Sequence, residues 1–255
     1  MSAATLVAHQ FRYDQKVFWR NPASVFFTVM FPLIFLFIFV GIFGNDVVEG
    51  TDVTTATYYV PAIFSLAVIS ATAQSLAIRL TEDRETGLLK RVRGTPLPPW
   101  AFIAGRVGNA LVISVLMIVL IAVIGRLIWD VEIPTTTLPA VAVTLLVGAF
   151  TFSCIGFALS AAIPSEDAAP AITNAALLPL YFISGIFIPD SEIPSGVLAI
   201  ADLFPVRHFF EAFFTAWNPT TTGAGFAWDQ LAIVAAWGVA GLLIAVRTFR
   251  WEPRA

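Results

Sequence analysis

Residues 107–129 read VGNALVISVLMIVLIAVIGRLIW, an apolar run in which Arg126 is the one charged side chain. An α-helix needs about 20 apolar residues to cross a hydrocarbon core about 30 Å thick, so this run is long enough to span a bilayer. Lipid cannot hydrogen-bond the backbone, so only helices and closed barrels span membranes. The alternating pattern of barrel strands is absent from this run, which therefore predicts a transmembrane helix.

The rest of the chain repeats this pattern. Hydrophobic residues make up 58% and charged residues 12% of the sequence, and the mean hydropathy is +0.85. An ordinary soluble domain is about 25% charged. We predict an all-α integral membrane protein with six transmembrane helices in a single transmembrane domain over 1–255. The other five helices are predicted at 25–43, 58–80, 138–163, 172–188 and 228–246.

The basic residues are distributed unevenly between the two sides of these spans. With the N-terminus placed in the cytoplasm, only Arg126 and Arg207 fall outside. The inside segments hold Arg12, Lys16, Arg20, Arg79, Arg84, Lys90, Arg91, Arg93, Arg106, Arg247, Arg250 and Arg254. Cytoplasmic loops carry the excess of Lys and Arg in membrane proteins. We therefore predict a multi-pass protein of the cell (plasma or inner) membrane with both termini in the cytoplasm.

The N-terminal segment 1–22 has an amphipathic pattern. On a helical wheel one face collects Ala4, Val7, Ala8, Phe11 and Phe18, and another collects Arg12, Lys16 and Arg20. This pattern predicts a helix in the cytoplasmic headgroup plane, with its basic face towards membrane lipids. The alternative is that these residues are ordinary flanking charges.

The external connection 189–227 is long and apolar, unlike a solvated loop. We predict short re-entrant helices there. The turns at Pro194 and Pro205 would then be buried in protein or would line a cavity, where irregular backbone is tolerated.

The cytoplasmic connection 81–99 reads TEDRETGLLKRVRGTPLPP, with acids first and bases later. This order complements a helix dipole and predicts a short amphipathic helix that ends near Gly94. Such a helix can dock into a groove on a soluble partner. The alternative is a solvated charged loop that contacts nothing.

Several motifs together resemble one family. The run DRETGLLK at 83–90, TPLP at 95–98 and Gly105-Arg106 are similar to the type-2 family of ABC transporter permeases. Exporters of the daunorubicin-resistance type, as well as polysaccharide and lipid-carrier exporters, belong to it. In the second half, the resemblance rests on Pro179, Ser184, Gly185, Phe187, Pro189, Ile193, Pro194, Leu203, Phe204 and Pro205.

The resemblance implies a mechanism. Two permease chains, identical or different, would pair, and each would bind one ABC ATPase subunit that holds ATP and Mg. Segment 82–93 matches the first coupling region and 164–170 the second. The implied coupling residues are Glu82, Glu85, Gly87, Leu88, Leu89, Arg91, Glu166 and Asp167. The chain has no G-x-x-x-x-G-K-[ST] motif, so we expect ATP hydrolysis on a separate chain, no cofactor on this one and no enzymatic activity.

The spans contain neutral polar residues but no charge near their centres. This argues against a secondary transporter, because ion-coupled transport usually needs intramembrane charge. The resemblance implies export. The apolar interior without fixed charge favours a hydrophobic or amphipathic compound such as a drug, natural product or lipid-linked molecule. Polysaccharide or lipid-carrier export is the alternative. The candidate substrate path comprises Ser70, Gln74, Asn109, Asn174, Tyr181 and Ser184. These residues could equally be interhelical contacts.

Other functions have weaker support. A membrane serine protease would need a base near Ser184, for which His208 is the candidate. The net charge of −3 gives no reason to expect a nucleic-acid partner, and Cys154 alone cannot form a disulfide within the chain. A scaffolding membrane protein stays open, and a separate ATPase partner would exclude it.

Overall fold

The computed structural model describes residues 3–49, 51–95 and 97–249. Within them the chain is largely helical, and β-structure is limited to an isolated bridge between Val47 and Thr54. The helices are α1 Ala3–Arg20, α2 22–43, α3 Thr55–Glu85, α4 Leu88–Arg93, α5 Pro99–Trp129, α6 Leu138–Ala162, α7 Ala169–Ile183, α8 Ser195–Ala201, α9 Pro205–Trp217 and α10 Trp228–Thr248. A 3-10 turn covers Asp190–Glu192. The prediction of an all-α fold is confirmed.

Two of the long helices contain a π-helical turn. In α2 the turn is Phe26–Met30, between Pro22–Val25 and Phe31–Phe43. In α3 the turn is Ser70–Gln74. Such turns are rare and are frequently found at functional sites.

Five of the described helices are long and apolar enough to cross a membrane: Phe26–Phe43 of α2, α3, α5, α6 and α10. The predicted span 172–188 differs, because α7 begins at Ala169 and ends at Ile183. The helix ends there because Ser184 leaves the helical conformation and Gly185 has a φ of +83°. With 15 residues, α7 is about 22 Å long, so the sixth crossing stays a prediction.

The core is built around α3, which packs against α2, α5, α6 and α9. Its side chains from Val60 to Ile69 are buried, and Phe64 meets the Trp217 ring at 4.8 Å between centroids. On the other side of the bundle, Gly238 and Gly241 allow α10 to approach α6 closely at Thr151 and Cys154. Helix α3 is therefore the central helix of the bundle, in contact with most of the other long helices.

The segment 189–227 contains the short helices that the sequence predicts. Pro194 precedes α8, and Pro205 is the first residue of α9. The apolar face of α9 is buried, with Phe209 and Phe213 fully enclosed, and the Phe209 ring lies against Gly148. The helices are confirmed, and whether they re-enter the bilayer stays a prediction.

The N-terminal segment forms the predicted helix, and the side that packs on the protein holds two polar residues besides Phe18 of the predicted apolar face. The buried residues are Gln10, Asp14 and Phe18, at four-residue spacing, whereas Ala8 is exposed. The side chain of Ala4 lies outside the described residues, as do Arg250 and Arg254. Arg12, Lys16 and Arg20 are all exposed, and whether this basic face lies towards membrane lipids stays a prediction. Asp14 is buried beside Arg106 of α5, and Gln10 is buried against Gly105 and donates a hydrogen bond to Asp14.

The cytoplasmic connection is divided into two helices, whereas the sequence predicts one. Helix α3 continues to Glu85, well beyond the predicted end at residue 80. Gly87 then adopts a left-handed conformation with φ +72°, which glycine reaches without steric cost, and α4 follows. Helix α4 ends at Arg93, next to the predicted stop at Gly94.

Candidate functional site

A cavity of about 500 Å³ lies between α2, α3 and α7. Both π-helical turns contribute to its wall, through Phe27 and Thr28 of α2 and through Ser70 and Gln74 of α3. Four of the six candidate path residues line it: Ser70, Gln74, Asn174 and Tyr181. Residues from three separate helices therefore meet at one site.

The cavity wall combines apolar surface with neutral hydrogen-bonding groups and two charged side chains, Arg79 and Glu82. Phe31 and Leu178 are among its apolar residues. The Gln74 amide donates a hydrogen bond to the Asn174 side-chain oxygen at 2.8 Å, which joins α3 to α7. The Tyr181 hydroxyl, close to Ser70, makes no hydrogen bond of normal geometry although the residue is buried. This wall suits an amphipathic molecule with an apolar body and polar groups.

The cavity is adjacent to the connection 81–99 between α3 and α5. A smaller cavity of about 80 Å³ reaches Leu88, the first residue of α4. Asn21, Arg79 and Glu82 line both cavities. The two charged side chains thus lie between the apolar cavity and α4, and they link the candidate path to the candidate coupling segment.

The other two candidate path residues lie elsewhere. Asn109 is on α5 and does not line the cavity, although its buried side-chain oxygen has no hydrogen-bond partner. The Ser184 hydroxyl donates to the Leu180 carbonyl of the last turn of α7. Tyr58 donates to the carbonyl of the next residue, Gly185, at 2.8 Å, so Ser184 lies in a packed turn.

The arrangement gives no support to the protease alternative. The His208 ring contacts the Gln230 side chain through Nδ1 and the Asp202 carbonyl through Nε2, at 2.8 Å for the latter. Both ring nitrogens are therefore engaged away from Ser184.

The coupling residues fall into three groups by exposure. Glu82, Arg91, Glu166 and Asp167 are exposed, and Glu85, Gly87 and Leu88 are half-buried. Leu89 differs, because it is fully buried in an apolar cluster with Leu76, Leu80, Phe102, Phe157 and Ala245. Leu89 therefore does not lie on the exposed surface of α4, and its side chain anchors α4 on the helix bundle. Its role in coupling stays a prediction.

A buried ion cluster holds α1 against the bundle. The Arg106 guanidinium of α5 pairs with Asp14 of α1 at 3.4 Å and with Asp83 of α3, and it lies 5.0 Å from the centre of the Phe102 ring. Gln10 donates to Asp14 at 3.1 Å. Burial raises the pKa of Asp14 above its usual value, although Arg106 opposes this change. Sequence reasoning missed the cluster, because it counted Arg106 as a flanking charge and left Asp14 unassigned.

Arg84 is a second buried charge that sequence reasoning missed. Its Nη1 donates to the Ser160 carbonyl at 2.8 Å and its Nη2 to the Ile163 carbonyl at 2.7 Å. Its Nε donates to Glu85 at 3.0 Å. The side chain is 2% exposed, so it lies inside the protein between α3 and the end of α6.

These features define a class of protein. Several apolar helices long enough to cross a membrane indicate an integral membrane protein, and a cavity between them is a candidate site for a transported compound. The family model for ABC-2 type transporters matches residues 5–216, and the chain belongs to this family of permeases. Permeases of this family work with an ABC ATPase.

Named relatives are consistent with this assignment. The putative transport permease YvfS of Bacillus subtilis is 23% identical over 232 residues, which cover 91% of this chain and 92% of the relative. The daunorubicin resistance ABC transporter permease protein DrrB1 of Streptomyces coeruleorubidus is 26% identical over 75% of this chain and 67% of its own length. The probable multidrug ABC transporter permease YbhR of Escherichia coli is 21% identical over 60% of this chain and 41% of its own.

Proposed function

We propose that this chain is the transmembrane subunit of an ATP-driven exporter of a hydrophobic or amphipathic compound. The observation that carries the proposal is the cavity between α2, α3 and α7, which shares Arg79 and Glu82 with the smaller cavity at Leu88. A displacement of α4 would change this shared wall. A movement at the cytoplasmic surface would thereby alter the space in which the compound is held.

The partner in this proposal is a separate ABC ATPase that binds ATP and Mg, with two copies in a transporter of two permease chains. Its docking surface includes the exposed acids Glu82, Glu166 and Asp167 and the exposed base Arg91. Both termini lie in the cytoplasm, and the exposed basic face of α1 lies on anionic headgroups. The charge pattern described above supports this orientation.

The lining of the cavity supports the proposed substrate class. Its apolar and aromatic residues suit a lipophilic body, and its amide and hydroxyl groups suit uncharged polar substituents. Daunorubicin occurs in the name of a relative. We therefore propose it as the first test compound. A polysaccharide or lipid carrier is the alternative cargo.

The test is transport into proteoliposomes that contain the chain and its ATPase, measured by daunorubicin fluorescence. We expect Asn174→Ala to reduce ATP-dependent transport, because it removes the partner of Gln74 from the cavity wall. Asn109→Ala is the matched control, since Asn109 does not line the cavity. Equal transport by both variants and the unaltered chain would overturn the assignment of the cavity.

A further inference from the structure

Arg84 lies where the two cytoplasmic regions of the chain meet. It is on the last turns of α3, next to Glu85 and three residues before the left-handed turn at Gly87. Its guanidinium reaches across to the carbonyls of Ser160 and Ile163, at the C-terminal end of α6. One side chain therefore connects the segment that leads into α4 with the segment that leads into the turn 164–168.

The geometry of these bonds is specific to arginine. The planar guanidinium presents a rigid fork of donors, and here two of its nitrogens reach two different carbonyls. A cation at a helix C-terminus also interacts favourably with the helix dipole. A lysine ammonium would keep the charge but would lack the fork.

Apolar contacts on both sides of Arg84 strengthen the connection. Ala77 of α3 packs in a buried cluster with Ile163 and Ala169, which flank the turn 164–168. Leu89 of α4 is fully buried against α3, α5, α6 and α10. The hydrogen bonds of Arg84 hold α3 to the end of α6. The two apolar clusters hold α4 and the residues that flank the turn to the same helices, so a separate shift of α4 or of the turn would disturb this packing.

We infer that Arg84 is a positioning residue that makes α4 and the turn 164–168 move as one body when the ATPase acts. The inference rests on the proposed function, because it assumes that a partner ATPase displaces this surface. It adds that the exposed acids Glu166 and Asp167 and the exposed residue Arg91 keep a fixed spacing through the cycle.

The test measures a distance within the chain bound to its ATPase. Nitroxide labels are placed at Thr95→Cys, beyond α4, and Ala162→Cys, at the end of α6, in a Cys154→Ala background. Both sites are exposed, and neither is among the proposed docking residues. Pulsed electron resonance then gives the distance with and without ATP and Mg. In the chain with Arg84 intact, we expect the same distance in both states.

Arg84→Gln should lose this constancy, so that ATP shifts or broadens the distance, while Arg84→Lys should restore it in part. The matched control is Arg247→Gln, because Arg247 is an exposed arginine at the end of α10. A distance that changes with ATP when Arg84 is intact would overturn the inference even if Arg84→Gln did not fold. So would a constant distance in Arg84→Gln with ATPase bound. No bound ATPase on the unaltered chain would overturn the proposed function and this inference with it.

Discussion

Leu88 and Leu89 are adjacent in the sequence, but the structure predicts different outcomes when they are replaced. Leu89 is fully buried among Leu76, Phe102 and other apolar residues, whereas Leu88 is half-buried beside the smaller cavity. Truncation of a buried leucine to alanine costs about 2–5 kcal/mol. Because Leu89 has no exposed surface, we expect Leu89→Ala to cost about 3 kcal/mol, near the middle of that range. Leu88→Ala should cost about 1 kcal/mol or less.

The assay is thermal unfolding of the detergent-purified chain, combined with capture of its ATPase. Leu89→Ala should lower the apparent melting temperature strongly, and ATPase capture should fall only in proportion to the folded protein that remains. Leu88→Asp should leave the melting temperature close to that of the unaltered chain and should abolish capture. Equal melting temperatures for Leu89→Ala and the unaltered chain would refute the argument from burial. Unfolding of Leu88→Asp would refute the assignment of Leu88 to the docking surface.

Three further predictions concern other parts of the chain. Gly148→Val should destabilise the chain by about 2 kcal/mol or more, because the Phe209 ring occupies the space of any added side chain. Thermal unfolding measures this loss, and Gly196→Val, with open space around it, is the control. The folded chain holds a proton on Asp14 more tightly than the unfolded chain does, because the pKa of Asp14 is raised above 3.8 in the folded state. The free energy of unfolding should therefore fall as the pH rises from 3.8 through that raised pKa. Asp14→Asn should remove part of this pH dependence, as measured by unfolding at a series of pH values. Cysteines placed along α7 should be shielded from water-soluble thiol reagents if α7 crosses the bilayer, and labelling throughout would refute a sixth crossing.

The sequence predicted the fold class well because apolar runs of transmembrane length have few alternative structures. It was less accurate at helix ends. Helix α3 continues through charged residues to Glu85, because a helix can extend into water beyond the apolar run. Helix α7 ends before the apolar run does, since the backbone turns at Gly185 with φ +83°. Such a turn depends on tertiary contacts, here including the hydrogen bond from Tyr58.

The candidate site was predicted in part. Polar residues within apolar runs correctly predicted four of the residues that line the cavity. A polar side chain in a membrane-spanning helix usually faces another helix or a cavity, because lipid cannot hydrogen-bond it. The choice between Leu88 and Leu89 could not be made, since only packing against α5, α6 and α10 separates them. The sequence also could not predict the partners of Arg84 and Arg106, because these partners are distant along the chain. Arg84 is 76 residues from Ser160 along the chain, and Arg106 is 23 residues from Asp83.

The central claim is that this permease is driven by a separate ATPase that acts on its cytoplasmic surface. The most direct measurement is purification of the chain in mild detergent from its native membranes, followed by identification of proteins bound at fixed stoichiometry. The account predicts one ABC ATPase subunit per chain, with capture and ATP hydrolysis lost in Leu88→Asp. A chain that is recovered without a nucleotide-binding partner would contradict it.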